Sequence, residues 1–225
     1  MKPFSDPDAV ARYADNTARL VPGLRDLQRM AGLLLAERCG DGARVLVIGA
    51  GGGLELRCFA EMQPDWSFDG VDPSAEMLKV AAATLGDFGG RVRLHEGYTE
   101  DAPEGPFDGA ASLLTFHFIA REDRARTLAE IHRRLKPGAP FVVAHHSFPQ
   151  GEADKALWLS RYAAFAVASG VPASHAGKAG EAIGERLPIL SPEEEEATLA
   201  AAGFVDVQLF YAAFSFRGWV ARKAG

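Results

Sequence analysis

Val45-Leu46-Val47-Ile48-Gly49-Ala50-Gly51-Gly52-Gly53 is the stretch whose reading decides the fold. Four apolar residues, three of them β-branched, predict a strand buried on both faces, as in a parallel sheet. The glycines that follow let backbone pass close to a ligand, because no Cβ stands in the way. Leu54 to Met62 reads as a helix, so the turn presents free N–H groups at a helix N-terminus. Gly49, Gly51 and Gly53 are spaced G-x-G-x-G. The dinucleotide fingerprint G-x-G-x-x-G needs glycine at position 54, which is Leu54, and no G-K-[ST] ending of a phosphate loop is present.

Working outward, strand alternates with helix. Ser67 to Val71 reads as a second strand ending at Asp72-Pro73, with a helix opening at Ser74. Val92 to Glu96 and Gly109 to Phe116 are further strands, Arg121 to Leu135 a helix, and Ala139 to Ala144 a fifth strand. Repeated βα order predicts an α/β fold: a doubly wound, mostly parallel sheet with helices on both faces. Upstream, residues 1–40 read as helices, the first starting near Asp6-Pro7 with Val10 and Tyr13 on one face, broken at Val21-Pro22-Gly23. The pattern changes over 149–190. Ala153 to Ser169 is a helix carrying Trp158, Tyr162 and Phe165, and 171–188 is a looser stretch. Ser191-Pro192 caps another helix, and 204–212 and 214–222 form a closing antiparallel hairpin. The expectation is one domain over 1–225, with N-terminal helices at 1–40 and a helical insertion or cap at 149–190.

Composition narrows the function. The 225 residues suit a single domain with a full core. A net charge of −6 argues against a general nucleic-acid or anionic-membrane binder. No apolar run approaches the ~20 residues a membrane helix needs, and the N-terminus lacks a signal-peptide core. Cys39 and Cys58 make neither a disulfide framework nor a metal cluster, so the expectation is a cytoplasmic protein without a metal.

Ligands of such sheets bind beyond the carboxyl ends of the strands, where strand order reverses. Asp72 lies 19 residues past Gly53, where a carboxylate at a strand tip accepts hydrogen bonds from ribose hydroxyls; the same Asp-Pro-Ser also suits a helix cap. VLVIGAGGG, GVDPSAEML, FDGAASLL, LKPGAP and the final AGF…FRGWVARK together resemble the class I S-adenosylmethionine-dependent methyltransferases from Arg44 onward. The resemblance implies a Rossmann-like seven-stranded sheet and S-adenosyl-L-methionine as cofactor. It implies that Gly49, Ala50, Gly51 and Gly53 approach the methionine part, that Asp72 holds the ribose with Pro73 beside the adenine, that Tyr98 and Thr99 flank the adenine, and that Leu113 and Leu114 line the sulfonium side. Two positions depart from the pattern: Val47 replaces the acid before the first glycine, and Tyr98 the acid after strand three.

From Phe4-Ser5-Asp6 through Arg19 to Arg38, and in the layout of insertion and hairpin, the chain is also similar to the carboxy-S-adenosylmethionine synthases of tRNA modification. That family implies a polar or cationic anchor for a carboxylate on the cofactor. The matching positions, Leu24 and Leu113, are apolar, and the insertion offers Lys178 and Arg186. The leading expectation is methyl transfer to a small molecule. The alternatives are a carboxy-S-adenosylmethionine synthase-like enzyme and a non-catalytic S-adenosylmethionine or S-adenosylhomocysteine binding protein, with a homodimer as one arrangement.

Methyl transfer chiefly requires alignment and exclusion of water. A phenol or alcohol acceptor benefits from a base. His117 beyond strand four, and His145 and His146 beyond strand five, are the candidate catalytic residues, each weighed against a packed histidine at a strand end. The arginines between 121 and 134, interleaved with acids, read as a solvated helix face, and Glu193 to Glu196 as acids favoured in a first helical turn.

Overall fold

The computed structural model describes the chain from residue 13 and its side chains from residue 15. The expected helix start at Asp6-Pro7, the Val10 and Tyr13 side chains, and the Phe4-Ser5-Asp6 similarity lie outside the described residues. Seven strands form one sheet: β1 (Arg44–Ile48), β2 (Ser67–Asp72), β3 (Val92–Glu96), β4 (Gly109–Leu113), β5 (Pro140–His146), β6 (Phe204–Ala213) and β7 (Phe216–Lys223). The order is β3-β2-β1-β4-β5-β7-β6. The first five strands are parallel, and β7 pairs antiparallel with both β5 and β6. Central β1 lies between β2 and β4, with Val47 beside Gly70 and Ala111. Val45 to Ile48 are all buried, as a doubly covered strand requires. The chain order reverses at β1, which places the glycine turn at the switch point.

The α-helices among the described residues are α1 (Tyr13–Leu20), α2 (Leu24–Ala36), α3 (Leu54–Met62), α4 (Ala75–Leu85), α5 (Arg121–Arg134), α6 (Glu152–Ala168), α7 (Ala173–Arg186) and α8 (Pro192–Ala201). Leu27, Ala31 and Leu35 of α2 are fully buried in the core shared with β1 and Val142 of β5. Each such leucine stabilises the packing by roughly 1.5–3 kcal/mol. Tyr211 of β6 donates its hydroxyl to Pro22 O, fastening the α1–α2 turn to the hairpin. No helix among the described residues is long and apolar enough to cross a membrane.

Several expectations are corrected. The stretch 171–188 is mostly helix, α7, despite Gly177, Gly180 and Gly184. Their low helix propensity is overridden by packing on α6. A Cβ at Gly184 would come within 2.8 Å of Leu159 Cδ1, so the glycine permits the close approach. Strand β4 ends at Leu113, not Phe116, because Leu114 turns left-handed at φ 60° and residues 116–118 form a 3-10 turn. Strand β5 runs on to His146, held by the whole length of its pairing with β7. Nor is α5 a purely solvated face. Arg124 and Arg134 are only 1% and 2% exposed. Arg134 reaches the carbonyls of Glu100 and Ala102, and Arg124 that of Pro188, so each buried guanidinium is satisfied by backbone that faces inward.

Candidate active site

The glycine turn is shaped by what packs against it. Gly49, at φ 76°, has Thr115 so close that a Cβ would meet its Oγ1 at 1.9 Å. At Gly53, φ 69°, a Cβ would stand 2.8 Å from the Ala81 backbone of α4. The Gly49 and Ala50 amides donate to Val71 O at 2.8 and 3.0 Å, turning the chain over the end of β2. Asp72 stands at that end. Its Oδ2 accepts from Gly51 N and its Oδ1 from Ser74 N, both at 2.9 Å. Burial raises its pKa, and the Ser74 and Gly51 amides pull it partly back. The cap role falls to Ser74, whose hydroxyl accepts from Met77 N. Each Asp72 oxygen therefore keeps a further lone pair able to accept from a ligand.

Pro73, exposed, and Ala50, buried, flank this carboxylate. After β3, Gly97 N donates to Asp72 O at 3.1 Å and brings Tyr98 and Thr99 to the same mouth. Tyr98 is 63% exposed and Thr99 is buried. Leu113 is buried at the end of β4, and Leu114 holds its left-handed conformation with its amide on Ala144 O at 2.6 Å. A leucine at positive φ is costly backbone, held here by pairing with β5. Val47 is wholly buried in the core and offers the site nothing polar.

Two carboxylates were missed in the sequence. Glu55, in the first turn of α3, is buried; burial, with a smaller push from Asp72, drives its pKa up to about 8. A carboxylate in an N-terminal turn reads as an ordinary dipole partner, so only its burial distinguishes it. Asp101 accepts from Tyr98 N at 2.9 Å, placing an acid in the turn where Tyr98 itself supplies none.

The three histidines do converge. His117 and His146 rings sit 4.9 Å apart, and His117 and His145 6.4 Å apart, all three buried. His117 Nδ1 accepts from His146 N at 3.3 Å, which assigns the proton of the neutral ring to Nε2. Burial, then the neighbouring His146 and His145, hold the His117 pKa well below the imidazole range. His146 stacks on Phe216 at 3.9 Å and places Nδ1 3.1 Å from Ser215 Oγ. Burial, reinforced by His145, brings its pKa down to about 3. His145 Nε2 lies within ion-pair distance, 2.8 Å, of Glu195 Oε1, which also receives Arg124. Burial pushes Glu195 up, but His145 and Arg124 outweigh it and hold its carboxyl below the usual range. Glu195 is therefore an ion-pair partner in the core, unlike its solvated neighbours in the first turn of α8.

The comparisons with known proteins bear on this geometry. Residues 45–138, from β1 to the turn before β5, match a family model described as methyltransferase domain. Over these residues the chain is similar to methyltransferases, and its fold is that of the S-adenosylmethionine-dependent ones. It is 27% identical over 222 residues to the carboxy-S-adenosyl-L-methionine synthase of Chromohalobacter salexigens, covering 97% of this chain and 82% of that one. It is 36% identical over 137 residues to the demethylmenaquinone methyltransferase of Lactiplantibacillus plantarum, covering 58% and 55%. Haemonchus contortus phosphoethanolamine N-methyltransferase 2, solved with S-adenosyl-L-methionine, superimposes with a TM-score of 0.67 at 16% identity, over 100% of this chain and 59% of that one. S-adenosyl-L-methionine is the ligand held by that neighbour, and the free lone pairs of Asp72 beside the glycine turn fit the hydroxyls of its ribose.

Proposed function

We propose that this methyltransferase acts on a small-molecule acceptor seated between the ends of β4 and β5 and the cap made by α1, α6 and α7. The observation that carries this reading is Asp72, held by Gly51 and Ser74 with lone pairs to spare, opposite the strained Leu113–Leu114 turn. Bound there, the cofactor supplies a methyl group on a positive sulfonium, activated for in-line displacement. Asp72 orients the ribose, Thr99 and the Asp101-braced backbone at Tyr98 border the adenine, and the glycine turn admits the methionine part. Leu113, Leu114 and the cap exclude water from the transfer.

Among the histidines, we assign the base role, where the acceptor needs one, to His146. His117 has its lone pair occupied and His145 faces Glu195, whereas His146, in the tautomer whose Nδ1–H donates to Ser215 Oγ, keeps Nε2 to accept. Its low pKa makes it a weak base, which favours an acceptor that is already nucleophilic or readily deprotonated. Incubation with methyl-labelled cofactor and fractionated small-molecule extracts tests the reading. Label in a small product supports it, and cofactor binding without any labelled product counts against it.

A second reading, a carboxy-S-adenosylmethionine synthase-like activity, is favoured by the 97% coverage of this chain in that similarity, cap included. Leu24 and Leu113, both buried and apolar, stand against it. Mass spectrometry of co-purified nucleoside separates the carboxylated from the methylated form.

A further inference from the structure

At the junction of cap and hairpin, two arginines converge on one aromatic ring. Arg161 of α6 and Arg217 of β7 place their guanidinium carbons 4.6 and 4.9 Å from the centre of the Trp158 ring. Neither has a carboxylate within ion-pair range among the described residues. The contrast with α5 is informative: Arg121, Arg124, Arg126, Arg133 and Arg134 each end on an acid. A chain of net charge −6 has acids to spare, yet leaves both cations on this one ring without an acid. A guanidinium without a counter-charge is a ready partner for an anion.

Arg217 is also fixed in place. Its Nη1 donates to the carbonyls of Phe214 and Phe216 at 2.6 and 2.8 Å, which leaves Nε and Nη2 as a fork free of partners among the described residues. That fork matches the two oxygens of a carboxylate or phosphate. Burial lowers its pKa, as expected for a cation that lacks a counter-charge.

Position supplies the functional link. Arg217 pairs with His145, so it lies at the carboxyl end of β5, the same end as the glycine turn. It stands three strands from β1, about 14 Å at roughly 4.8 Å per strand. Resting on the methyltransferase reading above, we propose that Arg161, Arg217 and Trp158 form an oxyanion subsite that holds a carboxylate or phosphate at the end of the acceptor remote from its methylated atom. The acceptor is then an elongated anion, its nucleophile near Leu114 and His146 and its charge on the cap.

The test titrates the full chain, with and without saturating S-adenosylhomocysteine, with benzoate, phenyl phosphate and neutral benzamide. Tryptophan fluorescence reports binding. Trp66 and Trp219 are 3% and 0% exposed, so Trp158 is the ring within reach of an added anion. A saturable response to either anion and none to benzamide is expected, the tighter anion identifying carboxylate or phosphate. Arg161→Gln and Arg217→Gln should each weaken it about tenfold, since a charge-assisted hydrogen bond is lost, while Arg217→Lys keeps part of it. Equal binding of benzamide, no response to either anion, or unchanged anion binding in both glutamine variants overturns the subsite. S-adenosylhomocysteine binding without anion binding overturns the subsite alone. Anion binding by a chain that does not bind S-adenosylhomocysteine supports the subsite and overturns the methyltransferase reading.

Discussion

The Gly51 amide donates to Asp72 Oδ2 at 2.9 Å, and a Cβ on Gly51 would stand 2.7 Å from that same oxygen. One contact therefore explains both residues: the carboxylate is aimed by an amide that only glycine can bring so near. Gly51→Ala should push Asp72 aside and weaken S-adenosylhomocysteine binding about tenfold or more, the size expected when a charge-assisted hydrogen bond is broken. Calorimetry measures it, and an unchanged affinity would show that Asp72 is not aimed by this amide.

Glu55 makes stability fall with rising pH. Its pKa is raised from 4.5 to about 8 in the fold, so the folded state binds the extra proton. The stabilisation is complete below pH 4.5 and is lost as pH rises towards 8. Glu55→Gln, which cannot ionise, should flatten the decline in melting temperature between pH 5 and 8. The same slope in wild type and variant would remove Glu55 as its source.

His146 acts at the other end of the scale. Its pKa is depressed from 6.5 to about 3, so the unfolded chain takes up the proton first as pH falls. Its contribution is present above pH 6.5 and disappears towards pH 3. His146→Gln should reduce the loss of stability between pH 6.5 and 4, read by thermal unfolding at each pH, even if the variant is weaker at pH 7 for want of the Phe216 stack.

Glu195 joins Arg124 and His145 in a setting where the arginine is 1% and the glutamate 3% exposed. Removing the acid leaves an uncompensated buried guanidinium. Glu195→Gln should cost about 3–5 kcal/mol in urea unfolding, as broken buried pairs do. Glu194→Gln, on the exposed side of the same turn, should cost about 1 kcal/mol or less. Similar losses in the two variants would contradict the buried pair.

How much of this was legible in the sequence follows from which forces act locally. The βα alternation, the glycine spacing and Asp72 at the tip of β2 are set by short-range periodicity and turn chemistry, and they were read directly. The ends of elements were not. Leu114 carries no sign of its positive φ, which is imposed by pairing with Ala144. The helix α7 looked broken because its glycines serve packing against Leu159 rather than propensity. Arg124, Arg134 and Glu195 looked solvated, because whether a charge is buried depends on carbonyls and partners distant in the chain. Glu55 was unread for the same reason. His117 lies beyond β4 as expected, whereas His145 and His146, expected beyond strand five, are the last two residues of β5, and their partners Ser215 and Glu195 come from the hairpin turn and α8, which spacing does not reveal.

Calorimetric titration of the intact chain with S-adenosylhomocysteine, beside Asp72→Ala, tests the central claim most directly. The wild type should bind saturably at one to one, and Asp72→Ala should bind at least about tenfold more weakly, since the ribose loses its charged acceptor. No binding to the wild type, or equal binding to both, would contradict it.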